Sequence, residues 1–411
     1  MTTLPRAQLQ VSFILSTRNR REVVLDTIEN VLRCGIDRDA FEILVVDNAS
    51  ADGTADAIEA LSHPNLKLFR QSSNLGSCAK NVALAEAQGR FVIFLDDDSY
   101  PQRGCVARMI HHFDEQPDLG AAVFTVELPD GSRECSAYPD VFIGCGTGFR
   151  RVALTHVGGL PDDFFMQAEE YDLSLRLLDA GWRVRSFDDI AVTHLKSPAA
   201  RRSRRTTRLD VRNNLVLATR YFPEPWVKPF AVDWMKRYYK IAAARRQRVA
   251  FFAGALQGFA AMMRPDHRRP IRAETFEEFA KVGEIERRLR IAQEILDLQS
   301  VAFIDLGKNI LPFWLAARNL GIDVIAIADN KLARAEGRRA RKYRGVPILC
   351  DGVAHTYAFD AAVVSNVSPV HARERLIEWR GFEGRPVIDL FEPNTPWAEE
   401  LATDSLRAAA A

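Results

Sequence analysis

Three aspartates in a row, Asp96-Asp97-Asp98, close the apolar run Phe91-Val92-Ile93-Phe94-Leu95. Adjacent carboxylates repel one another unless a cation or strong donors offset them. Hard divalent cations prefer carboxylate and phosphate oxygens. An Asp-x-Asp at a strand end can therefore hold a metal–diphosphate, one aspartate taking the metal and another the ribose hydroxyls. Alone, the triplet reads equally as a solvated turn with helix-capping aspartates. Two more polar clusters follow apolar runs in the same way: Ser16-Thr17-Arg18-Asn19-Arg20 after Val11–Leu15, and Asp47-Asn48 after Phe41–Val46. Asp47 can accept a hydrogen bond from a nucleobase or ribose, and Arg18 and Arg20 are bidentate donors suited to phosphate. Asn74-Leu75-Gly76 carries a glycine suited to a tight turn close to a ligand, with Lys80 or Asn81 beyond it able to face a nucleotide.

Further along, Gly144-Cys145-Gly146-Thr147-Gly148 is a glycine-rich loop where backbone can approach a substrate, a sugar more readily than a phosphate. Glu169-Glu170-Tyr171-Asp172 opens an amphipathic helix. Acidic residues there complement the helix dipole, but a carboxylate at this point can also act as a general base toward an acceptor hydroxyl. His194 is a structural histidine or a ligand to metal or diphosphate.

These groups need a scaffold that brings them together. Val11–Leu15, Phe41–Val46, Leu66–Phe69 and Phe91–Leu95 read as strands; Arg21–Cys34, Ala51–Leu61 (with Ser50 as cap) and Ser77–Gln88 (stopped by Gly89) read as helices. This alternation predicts an α/β fold with a doubly wound, mostly parallel sheet. In such sheets ligands bind beyond the carboxyl ends of the strands. Strand direction alone puts the three polar clusters on one edge, and that convergence says more than any one cluster.

Taken together and in order, the motifs resemble the family 2 glycosyltransferases, which have the GT-A fold. The resemblance covers Val11 to Phe222 and rests on Thr17-Arg18-Asn19-Arg20, Val45-Val46-Asp47-Asn48-Ala49-Ser50, Asn74-Leu75-Gly76, Leu95-Asp96-Asp97-Asp98, Glu169-Glu170-Tyr171-Asp172 and His194. It implies an inverting, metal-dependent transfer of sugar from a UDP-, dTDP- or GDP-sugar. Asp47 would meet the base, Asp96 the ribose or diphosphate, and Asp98 with His194 Mn²⁺ or Mg²⁺. Thr17, Arg20, Asn74, Gly76, Lys80 and Asp97 would complete the donor site. Glu170 is the favoured base, with Glu169 the alternative. Trp182 fits the pattern as a packing residue near the site. Two positions depart from it: Arg18, where relatives often carry Tyr, and Glu169-Glu170, where they usually carry Glu-Asp.

Beyond this half, Arg201 to Arg248 holds fourteen Lys/Arg against three acidic residues, a formal balance of +11, although the 411-residue chain as a whole carries +1. Its stretch Arg201–Arg212 and the motif Arg212-Asn213-Asn214-Leu215 are similar to the tail of bacterial rhamnosyltransferase-like members. That resemblance points to cell-surface polysaccharide or glycolipid synthesis, with a glycan or lipid-linked acceptor and peripheral contact with an anionic membrane. The apolar stretch Val249–Met263 is expected as a buried helix, with a membrane-surface helix as the alternative. Phe276–Leu298 reads as one charged amphipathic helix. From residue 299 strand–helix alternation resumes with Val301–Asp305, Leu311–Leu320, Val324–Ala328, Ala361–Ser365 and Pro386–Leu390. This second, smaller α/β domain resembles small Rossmann-like domains of sugar-modifying enzymes, with Asp329 placed for a ribose contact but only Gly307 of the phosphate-loop glycines.

The expected domains are 1–225, a helical basic segment 226–298, 299–395 and a tail 396–411. Six scattered cysteines without a metal spacing, no leader and no membrane-length apolar run make a cytoplasmic protein the expectation, possible contact with the inner membrane face included. No nucleic-acid partner is expected. The competing readings are a nucleotidyltransferase on a similar sheet and a non-catalytic sugar-nucleotide-binding scaffold.

Overall fold

In the computed structural model, which describes residues 9–196, 203–334, 340–382 and 384–398, the apolar runs form strands and the periodic segments helices from residue 11 onward. The chain divides into two units, Met1–Ser136 with Asp140–Arg272, and Ala137–Pro139 with Ala273–Ala411. The expected boundary at 225 falls inside a helix of the first unit.

The first unit begins β1 (Val11–Thr17), α1 (Arg21–Leu32), β2 (Phe41–Asp47), α2 (Thr54–Ala60), β3 (Leu66–Arg70), α3 (Lys80–Leu84) and β4 (Phe91–Asp96). It continues with β5 (Ser99–Pro101), α4 (Cys105–Glu115), β6 (Leu119–Glu127), β7 (Arg133–Glu134), β8 (Thr147–Arg150), α5 (Arg151–Val157), α6 (Glu169–Asp179) and β9 (Arg183–His194). Three long helices follow: α7 (Arg204–Tyr221), α8 (Glu224–Ala244) and α9 (Arg248–Met262). The strands form one sheet in the order β3-β2-β1-β4-β8-β6-β9-β5, with β7 on β6. Pairing is parallel from β3 to β4 and antiparallel on both sides of β8.

The strand interiors are apolar throughout because both faces are covered. On β1, Phe13 and Leu15 point into one core with Val24 and Ile28 of α1, while Ile14 points into the other with Val46 and Phe94. In α1 the buried positions Val24, Thr27, Ile28 and Val31 recur at helical spacing. The α/β fold class and the mostly parallel sheet are those expected.

Several local expectations change. α2 starts at Thr54, not after Ser50, whose hydroxyl instead accepts from the backbone N–H of Asn19 at 2.9 Å. The expected helix over Ser77–Gln88 is a 3₁₀ turn and the short α3. The chain must leave the helix before Gly89, where a Cβ would lie 2.5 Å from the Ser12 nitrogen. The glycine-rich loop runs directly into β8. A Cβ at Gly146 would meet Val192 at 2.5 Å and one at Gly148 would meet Met109 at 2.1 Å, so two of its three glycines serve packing. α9 is not a buried helix: it presents apolar side chains outward. Among the described residues no helix is long and apolar enough to cross a membrane.

The second unit comprises α10 (Ala273–Ala280), α11 (Val282–Leu296), β10 (Ser300–Ile304), α12 (Ile310–Asn319), β11 (Asp323–Ala328), β12 (Arg341–Tyr343), β13 (Val346–Leu349), α13 (Asp351–Ala354), β14 (Ala361–Val364), α14 (Pro369–Arg380) and β15 (Val387–Ile388). The expected single helix over Phe276–Leu298 is broken at Lys281, which sits at φ +55. Glu277 Oε1 then accepts from the backbone N–H groups of Gly283 and Glu284 and caps α11. The six strands run β12-β13-β11-β10-β14-β15, parallel except for β12. The tail Arg407–Ala411, Arg201 and Arg202 lie outside the described residues.

Candidate active site

Strand order reverses at β1, which has β2 on one side and β4 on the other. Register puts Thr17 beside Asp47 and Ser16 beside Asp96, so the loops after β1, β2 and β4 meet at one edge. A cavity of about 390 Å³ opens there. Thr17, Arg18, Arg20, Asn74, Gly76, Lys80, Asp96, Asp97, Asp98, Glu169, Glu170 and His194 all line it. Asp47 stands behind that lining and is buried. Its Oδ2 accepts from the Ser50 N–H at 3.0 Å, while Oδ1 is buried with no partner among the described residues.

The three aspartates have three environments. Asp97 accepts from Thr17 Oγ1 at 2.8 Å and from Arg20 Nη1 at 2.6 Å. Burial nevertheless pushes its carboxyl up to about 6, outweighing Arg20 and Thr17. Asp98 accepts from Arg20 Nη2 at 2.8 Å and faces His194 Nε2 at 3.2 Å. There burial is outweighed by His194 and Arg20, which hold the carboxyl down at about 2. Asp96 is the open one. Lys80 Nζ, itself buried, donates to Asp96 Oδ1 at 3.1 Å and to the Gly144 carbonyl at 3.0 Å.

His194 ends β9, which pairs with β5 and so returns to the aspartates. Its Nδ1 lies 2.7 Å from Glu134 Oε2, and Lys196 holds the other Glu134 oxygen. Burial opposes charge on this imidazole, but Asp98, Cys145 and Glu134 outweigh it and push its pKa up to about 12. A carboxylate on one ring nitrogen that leaves the other facing an aspartate is the usual support of a metal-ligating histidine. Asp96, Cys145 and His194 bring ligand atoms within 4.8 Å of one another. Carboxylate oxygens and an imidazole nitrogen suit Mn²⁺ or Mg²⁺. The Cys145 thiol, which burial keeps protonated, does not. A cation bound at Nε2 must displace the proton that Asp98 now shares.

Glu169 and Glu170, which line the same cavity, stand at the start of α6. Glu169 is buried, and its Oε2 has no partner among the described residues. Burial, with Glu170 beside it, raises its carboxyl well above the usual range. Glu170 is half-buried, its Oε1 3.5 Å from where a Gly144 Cβ would sit. Asp172 takes no part in the cavity. It accepts from Arg176 Nε at 2.8 Å and from the Tyr221 hydroxyl at 2.7 Å, which ties α6 to α7.

The loop before α6 is unusual: Phe165, Gln167 and Ala168 all have φ between +63 and +72. Such backbone disfavours side chains and needs outside support. Asn213 of α7, fully buried, supplies it. Its Nδ2 lies 3.1, 2.9 and 2.7 Å from the carbonyl oxygens of Phe164, Met166 and Gln167. Gly76 braces the same loop, at φ +69, where a Cβ would fall 2.0 Å from the Phe165 oxygen. Its close approach is thus to protein backbone.

Residues 12–166 match the family model described as glycosyl transferase family 2. The chain is 33% identical over 95 residues to the poly(ribitol-phosphate) β-N-acetylglucosaminyltransferase TarS of Staphylococcus aureus, across 22% of this chain and 17% of that protein. It is 25% identical over 211 residues to the poly-β-1,6-N-acetyl-D-glucosamine synthase of the same species, across 46% and 50%. A solved mannosyltransferase from Pyrobaculum calidifontis, in complex with GDP-Man and Mn²⁺, aligns with 63% of this chain and 88% of its own at 20% identity and a TM-score of 0.46. The chain thus spans at most half the length of these two curated relatives.

Within the first unit, sequence reasoning missed Glu134 and Lys196. Glu134 lies 60 residues from His194, on a two-residue strand that no hydrophobic pattern announces. Asn213 was noticed only as part of a motif; one amide on a long helix does not reveal its target. Trp182 packs on Gly120, where a Cβ would sit 2.7 Å from its own Cβ, and does not line the cavity. In the second unit, Asp329 Oδ1 accepts from the Lys331 and Leu332 backbone N–H groups and Oδ2 from that of Leu306, so both its oxygens are already engaged by backbone. Arg375 bridges Asp305 and Asp351 beside it.

Proposed function

We propose that this protein is an inverting, metal-dependent glycosyltransferase that moves a sugar from a nucleotide-sugar donor to an acceptor hydroxyl in polysaccharide or glycolipid synthesis. The observation that carries this reading is one cavity lined both by groups that could hold a cation, Asp96, Asp98 and His194 backed by Glu134, and by the carboxylates of Glu169 and Glu170. When bound by Asp98 and His194, with Asp96 beside them, a divalent cation supplies charge neutralisation for the departing diphosphate.

The chain's own groups do the rest. Glu170 takes the proton of the acceptor hydroxyl as that oxygen bonds to the anomeric carbon, and the bond from that carbon to the diphosphate oxygen breaks. One displacement inverts the centre. Burial favours the neutral form of Glu169, so the pair need not carry two adjacent charges. The unpartnered Asp47 Oδ1 supports acceptance of a hydrogen bond from the base. Thr17, Arg20 and Lys80 hold Asp97, Asp98 and Asp96 in place, and Arg20 and Lys80 lie where positive charge suits phosphates. Asn74 and Gly76 form the donor-side turn, Asn74 Oδ1 accepting from the Gly76 N–H at 2.9 Å. The second unit is proposed as a Rossmann-like docking or regulatory module.

Both curated relatives are named for N-acetylglucosamine, so nucleotide-activated N-acetylglucosamine is the first donor to screen, beside other UDP-, dTDP- and GDP-sugars. Thermal stabilisation and slow donor hydrolysis are measured with Mn²⁺, with and without Asp98→Ala. The expected result is a metal-dependent shift with one nucleotide class, lost in the variant, with release of nucleoside diphosphate. No shift with any donor in folded protein, or release of pyrophosphate, overturns the reading.

A further inference from the structure

α9 lies on α7 through its small residues. A Cβ at Gly254 would be 2.3 Å from the Arg208 carbonyl oxygen and one at Gly258 2.9 Å from Leu215, so the two backbones nearly touch. The other face of α9 is covered by nothing among the described residues. Val249, Phe252, Leu256, Phe259 and Met263 follow at spacings of 3, 4, 3 and 4, each between 56% and 84% exposed. Tyr239 of α8 extends the stripe, its ring 6.3 Å from that of Phe252. A contiguous apolar face this long is rare on a surface without a partner. Its length, about 21 Å at helical rise, is too short to span a bilayer's apolar core of about 30 Å.

The charges around it choose the occupant. Between Asp233 and Asp266 the chain holds seven Lys/Arg and no Asp or Glu. Arg248 and Arg264 flank the stripe, and Arg245 and Arg246 are exposed just before it. A second copy of α9 would bring arginine against arginine with no carboxylate on either helix to offset them. A bilayer with anionic headgroups offers apolar depth to the stripe and negative charge to its rim.

We propose that this face of α9 docks in the plane of an anionic lipid bilayer. Arg205 lines both the groove at the start of α9 and the catalytic cavity, so the docked face adjoins the cavity mouth. Resting on the glycosyltransferase reading, the acceptor is then a lipid-linked one presented from that surface.

The test is co-sedimentation of the full chain with vesicles of phosphatidylcholine alone or mixed with phosphatidylglycerol, beside Leu256→Ser/Phe259→Ser/Met263→Ser and, separately, Arg246→Glu/Arg248→Glu. Wild type is expected to bind the phosphatidylglycerol vesicles about tenfold more tightly than the neutral ones. Both variants should lose that binding while keeping the wild-type melting temperature. Absence of wild-type binding, or binding unchanged in the triple variant, overturns the proposal. So does a dimer in sedimentation velocity that the triple variant dissolves. Nucleotide stabilisation is measured on the same samples without vesicles: its failure with vesicle binding intact rejects the transferase reading alone.

Discussion

At the residue scale, the two glutamates that open α6 differ in burial, and from that difference their behaviour with pH follows. Glu169 prefers its neutral form in the folded chain. Unfolded, it ionises near 4.5. Ionisation therefore favours the unfolded state as pH rises from that value toward the raised folded pKa, and stability falls across the window. Glu169→Gln removes the term: its melting temperature should match wild type near pH 4 and exceed it increasingly above pH 5, measured without metal. Parallel curves at every pH would reject the assignment. Glu170→Gln should lower kcat by roughly 10²–10⁴-fold with little change in donor affinity, as loss of a general base does. A comparable loss in Glu169→Gln but not in Glu170→Gln would exchange their roles.

At the element scale, the site depends on a loop held in backbone conformations it would not keep alone. Phe165, Gln167 and Ala168 stay left-handed because Asn213 reaches three carbonyls from α7 and Gly76 packs against Phe165. Asn213→Ala removes those bonds and leaves buried carbonyls unpaired, at a cost of about 1–3 kcal/mol. It should lower kcat well before nucleotide binding, because the loop leads directly into the glutamates of α6, whereas the aspartates proposed for the donor stand at and just beyond the end of β4. Equal losses in kcat and donor affinity would instead mean general unfolding. Gly76→Ala is harsher: a Cβ 2.0 Å from a carbonyl oxygen cannot be accommodated, and soluble yield or melting temperature should fall sharply.

At the scale of the whole molecule, six thiols report on both units without any disulfide. Cys350 is exposed, Cys135 is intermediate, and Cys34, Cys78, Cys105 and Cys145 are buried. Burial, aided by Glu169, pushes Cys78 up to about 12, so it is protonated as well as inaccessible. A thiol reagent at neutral pH should label Cys350 fast, Cys135 slowly and the other four only after denaturation. Rapid native labelling of Cys78 or Cys145 would contradict the packing of the catalytic side. Charge is also uneven at this scale: the strongly basic α7–α8 region sits in a chain with net +1, so salt should weaken contacts with anionic surfaces while leaving the fold intact.

The polar clusters at Thr17–Arg20, Asp47 and Asp96–Asp98 were legible because each ends an apolar run, and parallel strands necessarily deliver their carboxyl ends to one edge. Local pattern was enough to name the sheet, its direction and most groups of the cavity. The partners of those groups were not legible. Glu134 meets His194 across 60 residues and Asn213 meets Gln167 across 46, and no periodicity encodes such contacts. Nor does composition say which face of an apolar helix another element covers: α9 looked buried because its residues are apolar, but its glycines take α7 and its large side chains are left outside. Hydrophobic pattern is a property of neighbours along the chain, whereas pairing, left-handed loops and exposed faces depend on what the rest of the fold has already placed beside them.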